Sequence, residues 1–297
     1  MSLIDTAQQP VAPSTAAPAT SVRRRARRST GGSIPVVLAG VVLALFVVAA
    51  VAPALLAPYG YDEVNPQKIL AAPSAEHVFG TDENGRDVLS RIVHGAANSL
   101  LLGFGAVAIA LVGGTLLGLS AALGNRVTSS LLMRIVDVGL AFPEMLLALV
   151  LIAVAGPGPR NALIAIGIAT IPSYARVIRA QTLGVRGSSY VEAAHALGLR
   201  PAQVLVRHVL PNAVRPLIVI ATIGVGTATL AGAALSFIGL GVSPPTPEWG
   251  SMLSTARTFI QQAWWYGAFP GLAITALVVS TSVLGRALQA RFEGRTA

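Results

Sequence analysis

The chain has 297 residues, of which 54% are hydrophobic and 11% charged, whereas a soluble domain carries about a quarter charged residues. That balance excludes an ordinary water-soluble enzyme, and the lack of cysteine excludes disulfides, iron–sulfur centres and thiolate zinc sites. The net charge of +9 rests on arginine, with Lys68 the single lysine; without a polar domain to display a basic patch, a nucleic-acid partner is not expected.

Residues 1–33 are rich in Ala, Pro, Ser and Thr and carry Arg23, Arg24, Arg25, Arg27 and Arg28, a composition that predicts a disordered basic tail. The apolar run 34–57 is long enough to cross a hydrocarbon core of about 30 Å and too long for a signal-peptide core. Residues 58–95 form a polar extracytoplasmic segment. In its second half Val88, Leu89, Ile92 and Val93 recur at helical spacing, predicting an amphipathic helix that lies on the membrane, under a partner or against the bundle.

Residues 96–285 then hold five further spans, at 96–123, 138–155, 162–183, 217–240 and 266–284, with a cytoplasmic loop at 184–213 and a tail at 286–297. Pro143 and Pro172 predict kinks in the third and fourth spans. In the fourth only 162–175 is free of charge, so Arg176 and Arg179 must reach the interface.

Arginine counting orients the chain. With both termini in the cytoplasm, 16 basic residues lie inside against Lys68, Arg86, Arg91, Arg160 and Arg257 outside, as the positive-inside rule requires. The expectation is a multi-pass protein of the plasma (inner) membrane, in contact with lipid, with Trp249, Trp264, Trp265 and Tyr266 as an outer aromatic belt.

Several chemistries have no residues to carry them. Lys68 follows Gln67 rather than a phosphate-loop glycine, so ATP cannot be held that way. A calcium loop at Asp82, Asn84 and Gly85 fails on Arg86 and Val93. His77, His94, His195 and His208 fall on opposite sides of the membrane and offer no metal site. Ionisable candidates at membrane depth are Asp137, expected to pair with Arg134, and Glu144, which either lines a translocation path or is a structural carboxyl. Gly114 with Gly118, Ser120 with Gly124, Ala228 with Gly232 and Gly232 with Ser236 make small-residue faces suited to close packing, chiefly within the subunit.

The strongest punctuation lies in the 184–213 loop. Ser189 with Glu192 makes a capping box, Gly198 suits a left-handed cap, and the helix 190–197 lies between them. Pro201 opens a second helix that Pro211 is expected to stop. The result is a helix–turn–helix elbow at the inner surface.

The stretch Glu192-Ala-Ala-His-Ala-Leu-Gly198, followed by His208-Val-Leu-Pro-Asn212, resembles the EAA motif of ABC importer permeases. The segments from His77 to Arg91 and from Leu235 to Gly250 resemble the C-type permease subunits of dipeptide, oligopeptide and nickel importers. The resemblance implies an all-α integral membrane protein, a type I importer bundle of six transmembrane helices with a coupling-helix elbow. It implies a non-catalytic subunit that binds no cofactor itself, ATP and Mg being held by two ATP-binding partner subunits, alongside a homologous B-type permease and an extracytoplasmic solute-binding protein.

Carried onto this chain, it assigns Ser189, Tyr190, Glu192, Ala193, Ala194, Gly198, Pro211 and Asn212 to ATPase coupling. Asp82, Arg86, Asp87, Arg91, Pro244, Glu248 and Trp249 would face the binding protein or stabilise the outer gate. Short peptides are the expected cargo; nickel or a chelated metal is the rival substrate, and an ion-driven secondary transporter with Glu144 as its carboxylate the rival class.

Overall fold

The computed structural model describes residues 33–292. The Arg23 to Arg28 cluster and Arg295 lie outside the described residues. Within the described residues ten α-helices run in the order α1 Ser33–Val51, α2 Val88–Leu123, α3 Arg126–Leu140, α4 Glu144–Ala155, α5 Pro159–Arg186, α6 Ser189–Ala196, α7 Pro201–Val204, α8 Leu210–Phe237, α9 Trp249–Ala256 and α10 Trp264–Phe292. Among the described residues there is no strand, only an isolated bridge between Thr81 and Asp87.

Among the described residues five helices are long and apolar enough to cross a membrane, and a sixth crossing is available if the bent pair α3–α4 counts as one. α1 ends at Val51, short of the expected 57, because Pro53 follows and the residue before a proline is driven out of helical geometry: Ala52 has φ −136° and ψ 63°. α2 begins at Val88, eight residues before the expected span, because the Asp87 carboxylate caps it, accepting from the backbone N–H of Ser90 at 2.7 Å. The amphipathic stretch is therefore the first turns of α2, and Val88, Ile92 and Val93 are buried against the bundle.

The third span is broken. α3 and α4 meet at 92° across Ala141, Phe142 and Pro143, since Pro143 has no N–H to continue the ladder and opens α4 instead. α5 runs through Pro172 to Arg186; its charges are accommodated because Arg176 reaches Asp137 at 2.5 Å and Arg179 reaches Ser129 at 3.3 Å on α3. Asp137 thus pairs with Arg176 across two helices, not with Arg134 on its own.

Pro211 does not stop the elbow's second arm. It falls in the first turn of α8, after a π turn over Leu205–Val209, and a π turn shifts the hydrogen-bond register so that the missing N–H is absorbed. The arm and the fifth span are one continuous run, Pro201–Phe237. α10 likewise extends to Phe292, into the stretch expected as a tail.

α2 is the central post, packed against α5 and α8; α4 covers α5, and α1 and α10 close the other side. Glycines set the α2–α5 approach: a Cβ at Gly114 would lie 2.5 Å from Tyr174 Cβ, and one at Gly118 would lie 2.6 Å from the Ala175 carbonyl oxygen. At Gly232 a Cβ would sit 3.1 Å from Leu102 Cβ, so these small-residue faces pack helices within the chain.

Candidate functional site

Three features can act on other molecules: the elbow, a cleft midway along the bundle, and the plate of chain formed by residues 52–87 with α9.

The elbow has a small core of its own. Val191, Ala194, Val204 and Val209 are buried together, leaving Ser189, Tyr190, Glu192, Ala193 and Leu197 exposed, Leu197 to 82%. α6 starts one residue early, the Ser188 carbonyl accepting from the N–H groups of Val191 and Glu192. It ends as the spacing predicts: Gly198 has φ +79° and the Leu199 N–H returns to the Ala194 carbonyl at 3.2 Å, closing a Schellman turn. Ala194 points into the elbow core, whereas Ala193 is exposed. Pro211 is exposed, and Asn212 donates to the His208 carbonyl at 2.7 Å, bracing the π turn. The Tyr190 and His208 rings, 6.5 Å apart, connect the two arms.

The cleft has a cavity of about 260 Å³ lined by Val107 of α2, Glu144 of α4, Thr170, Ser173 and Tyr174 of α5 and the Ile220 to Ala228 stretch of α8. The Thr170 hydroxyl donates to Glu144 Oε1 at 2.5 Å. On α5, Thr170, Ser173, Arg176 and Arg179 follow at every third residue, a polar stripe facing α3 and α4. Glu144 and Asp137 were legible from the sequence as acids at membrane depth; Thr170, Ser173 and Thr227 were not, although the three-residue spacing on α5 was a signal for the first two.

The plate is held by buried charge. Asp82 accepts from Arg86 Nε at 2.6 Å and lies 3.3 Å from Arg91 Nε; His77 Nδ1 and Asp87 Oδ1 are 3.0 Å apart. Glu248 Oε1 accepts from Gly250 N–H at 2.9 Å and from the Ser99 hydroxyl at 3.2 Å, and Oε2 from Ser251 N–H at 2.8 Å, which caps α9 and ties it to α2. Burial pushes the Glu248 carboxyl above the ordinary glutamate value, its hydrogen bonds offsetting part of the rise. At the plate's edge a hydrogen bond and the charge of Lys68 hold the exposed Glu76 below it.

This burial bears on the residues expected either to face the binding protein or to stabilise the outer gate. Asp82, Arg86, Asp87, Arg91, Glu248 and Trp249 are buried within the chain, a placement that fits support of the outer segment rather than a docking face. Pro244 is exposed with Ser243, Pro245 and Thr246. The aromatic belt is corrected: Trp249, Trp265 and Tyr266 are core residues and only Trp264 is exposed, at 58%. Trp265 Nε1 donates to the Thr81 carbonyl at 3.3 Å, so these rings bind the plate to α10 rather than to lipid.

Residues 114–297 match the family described as binding-protein-dependent transport system inner membrane component. The chain is 45% identical over 249 residues to the dipeptide transport system permease protein DppC of Alkalihalophilus pseudofirmus, covering 84% of this chain and 82% of the relative. It is 43% identical over 240 residues to the di/tripeptide transport system permease protein DppC of Pseudomonas aeruginosa, 79% of each chain. Among solved structures, an inward-facing MetNI methionine ABC transporter superposes with a TM-score of 0.55 at 19% identity, over 70% of this chain and 97% of that one, and an amino acid ABC transporter superposes with a TM-score of 0.51 at 20% identity, over 69% and 94%. Those likenesses concern the fold, the helical bundle of type I ABC importer permeases. With its bundle, its exposed elbow and a family match running from the last third of α2 through residue 297, this chain belongs to the binding-protein-dependent transport system inner membrane components.

Proposed function

We propose that the chain is one of two homologous permease subunits of an ATP-driven importer that moves short peptides inward. The observation that carries the substrate is the 45% identity, over most of both chains, to a permease named for dipeptide transport. In this reading the exposed face of α6, with Tyr190, Glu192, Ala193 and Leu197, seats on an ATP-binding subunit, with Gly198, Pro211 and Asn212 shaping the turn behind it. Hydrolysis and Mg-bound ATP belong to that partner. The two states of the ATP-binding pair move the elbow, and the elbow moves α5 and α8, to which it is continuous in chain; a bundle with two packings is what such coupling needs.

The tip 243–246, with Pro244, is the surface offered to a solute-binding protein on the opposite side. The distribution of arginine supports termini in the cytoplasm. The test is to purify the tagged chain from its native membrane in mild detergent, identify its companions by mass spectrometry and reconstitute them with labelled dipeptide. ATP-dependent uptake by an assembly containing a second permease, ATP-binding subunits and a binding protein is the expected result. Uptake of nickel but not of dipeptide by that assembly would replace the substrate, and ion-driven uptake by the chain alone would replace the class.

A further inference from the structure

The cleft around Glu144 lies at mid-bundle: Val107, Thr170 and Thr227 fall in the middle thirds of α2, α5 and α8. A carboxylate at the centre of a hydrocarbon layer is costly unless it meets water or a partner, and Glu144 is exposed. Its near contact is a neutral hydroxyl, Thr170, and none of the described residues lining the cavity is basic. The cations closest along α5 are otherwise engaged, Arg176 with Asp137 and Arg179 with Ser129. A mid-depth carboxylate that shares a largely apolar cavity with a few hydroxyls, and with no basic side chain among the described lining residues, belongs on a water-filled path, where it attracts a passing cation and repels an anion.

The other donors and acceptors narrow the cation. Thr170 donates to Glu144 or to the Ile166 carbonyl and Thr227 donates to the Gly224 carbonyl, so both oxygens keep lone pairs for a further donor. One carboxylate with two or three hydroxyls is poor in charge for a divalent ion, which takes about six or more oxygens, several of them anionic. It suits a group with three N–H donors in tetrahedral array. The α-ammonium of an unblocked peptide has that shape and is mostly charged at neutral pH, its ordinary pKa being about 8.

We infer that Glu144, with the hydroxyls of Thr170, Ser173 and Thr227, is a way-station on the translocation path that receives the amino-terminal ammonium of the peptide. This rests on the proposed importer function and adds to it a position and a polarity. Glu144→Gln separates charge from structure, because the amide keeps the side chain's shape and an oxygen for the Thr170 hydroxyl.

The sequence has no cysteine, so Thr227→Cys places a single thiol of this chain in the cleft. The assembled complex is prepared with that thiol in a Glu144 form and a Glu144→Gln form. Labelling of the chain by a cationic and an anionic methanethiosulfonate reagent of similar size is followed by mass. The ratio of cationic to anionic rate should fall at least about fivefold when Glu144 becomes Gln, a modest Coulomb term for a partly hydrated site. A dipeptide supplied with binding protein and ATP should slow labelling in the Glu144 form. A ratio equal in the two forms, or a thiol that reacts with neither reagent, overturns the way-station. Lack of ATP-driven dipeptide uptake by the unmodified complex overturns the importer reading instead, and the labelling ratio still decides whether the cleft is open to water and selects cations.

Discussion

Trp249 Nε1 donates to the Ile92 carbonyl at 2.9 Å, joining the first turn of α9 to the start of α2 across 157 residues of sequence. The ring is fully buried and packs 5.1 Å from Phe46 of α1, so three helices meet on one side chain. Trp249→Phe removes the donor and part of the ring volume and should cost about 1–3 kcal/mol, whereas Trp249→Ala opens a larger cavity worth about 3–5 kcal/mol. Thermal unfolding in detergent separates the two; equal effects would mean that the hydrogen bond, not the packing, holds the plate.

Glu248 gives the plate a pH dependence. Its carboxyl is raised above the ordinary glutamate value by burial, so the folded state favours the protonated form relative to the unfolded chain. The stabilisation is complete below the ordinary value and is lost as pH rises through the raised one. Melting temperature should therefore decline with rising pH in that window. Glu248→Ala removes the cap on Gly250 and Ser251 and should lower stability by about 1–3 kcal/mol, while flattening that decline; an unchanged slope would assign the pH effect to another group.

Gly114 tests the α2–α5 contact. A Cβ there meets Tyr174 Cβ at 2.5 Å and the Ala175 nitrogen at 3.1 Å, and the backbone nitrogen cannot rotate away. Gly114→Leu should lower the yield of folded protein, with a stability loss of about 1–3 kcal/mol or more from overpacking. Gly40, around which a Cβ would find nothing within 4 Å, is the control, and Gly40→Leu should fold normally.

Gly198 makes the opposite case. A Cβ there meets no atom within 4 Å, yet φ is +79°, a conformation that costs an ordinary residue about 1–2 kcal/mol. Gly198→Leu should leave the spans folded and disturb only the turn between α6 and α7. In the reconstituted complex, uptake should fall by about an order of magnitude or more, the 1.4 kcal/mol scale of a tenfold change, while ATP hydrolysis continues. Uptake per ATP is the measurement, and a ratio equal to that of the unmodified complex would remove the elbow from the coupling path.

How much of this was legible beforehand follows from the range of the interactions concerned. Apolar run length is local, so the number and rough position of the spans could be read directly, and the end of α6 followed from a glycine whose conformation no neighbour has to supply. Even the break between α3 and α4 was announced by Pro143, though not its 92° angle. Pro211 misled because a π turn, invisible in composition, absorbed its missing donor.

Charge and aromatic partners were a different matter. Asp137 stands three residues from Arg134 yet bonds to Arg176, and most of the residues expected to meet a docking protein, Asp82, Arg86, Arg91 and Glu248 among them, are buried. Sequence can place a charged or aromatic side chain at a membrane boundary; whether it faces lipid, a partner or the interior depends on which helices become neighbours. Here the close approach of α2 to α5 and α8, and the folding of residues 52–87 back onto the start of α2 and α10, made that choice. Burying these side chains requires several elements to supply hydrogen-bonding partners at once, and only the packed chain brings those partners together.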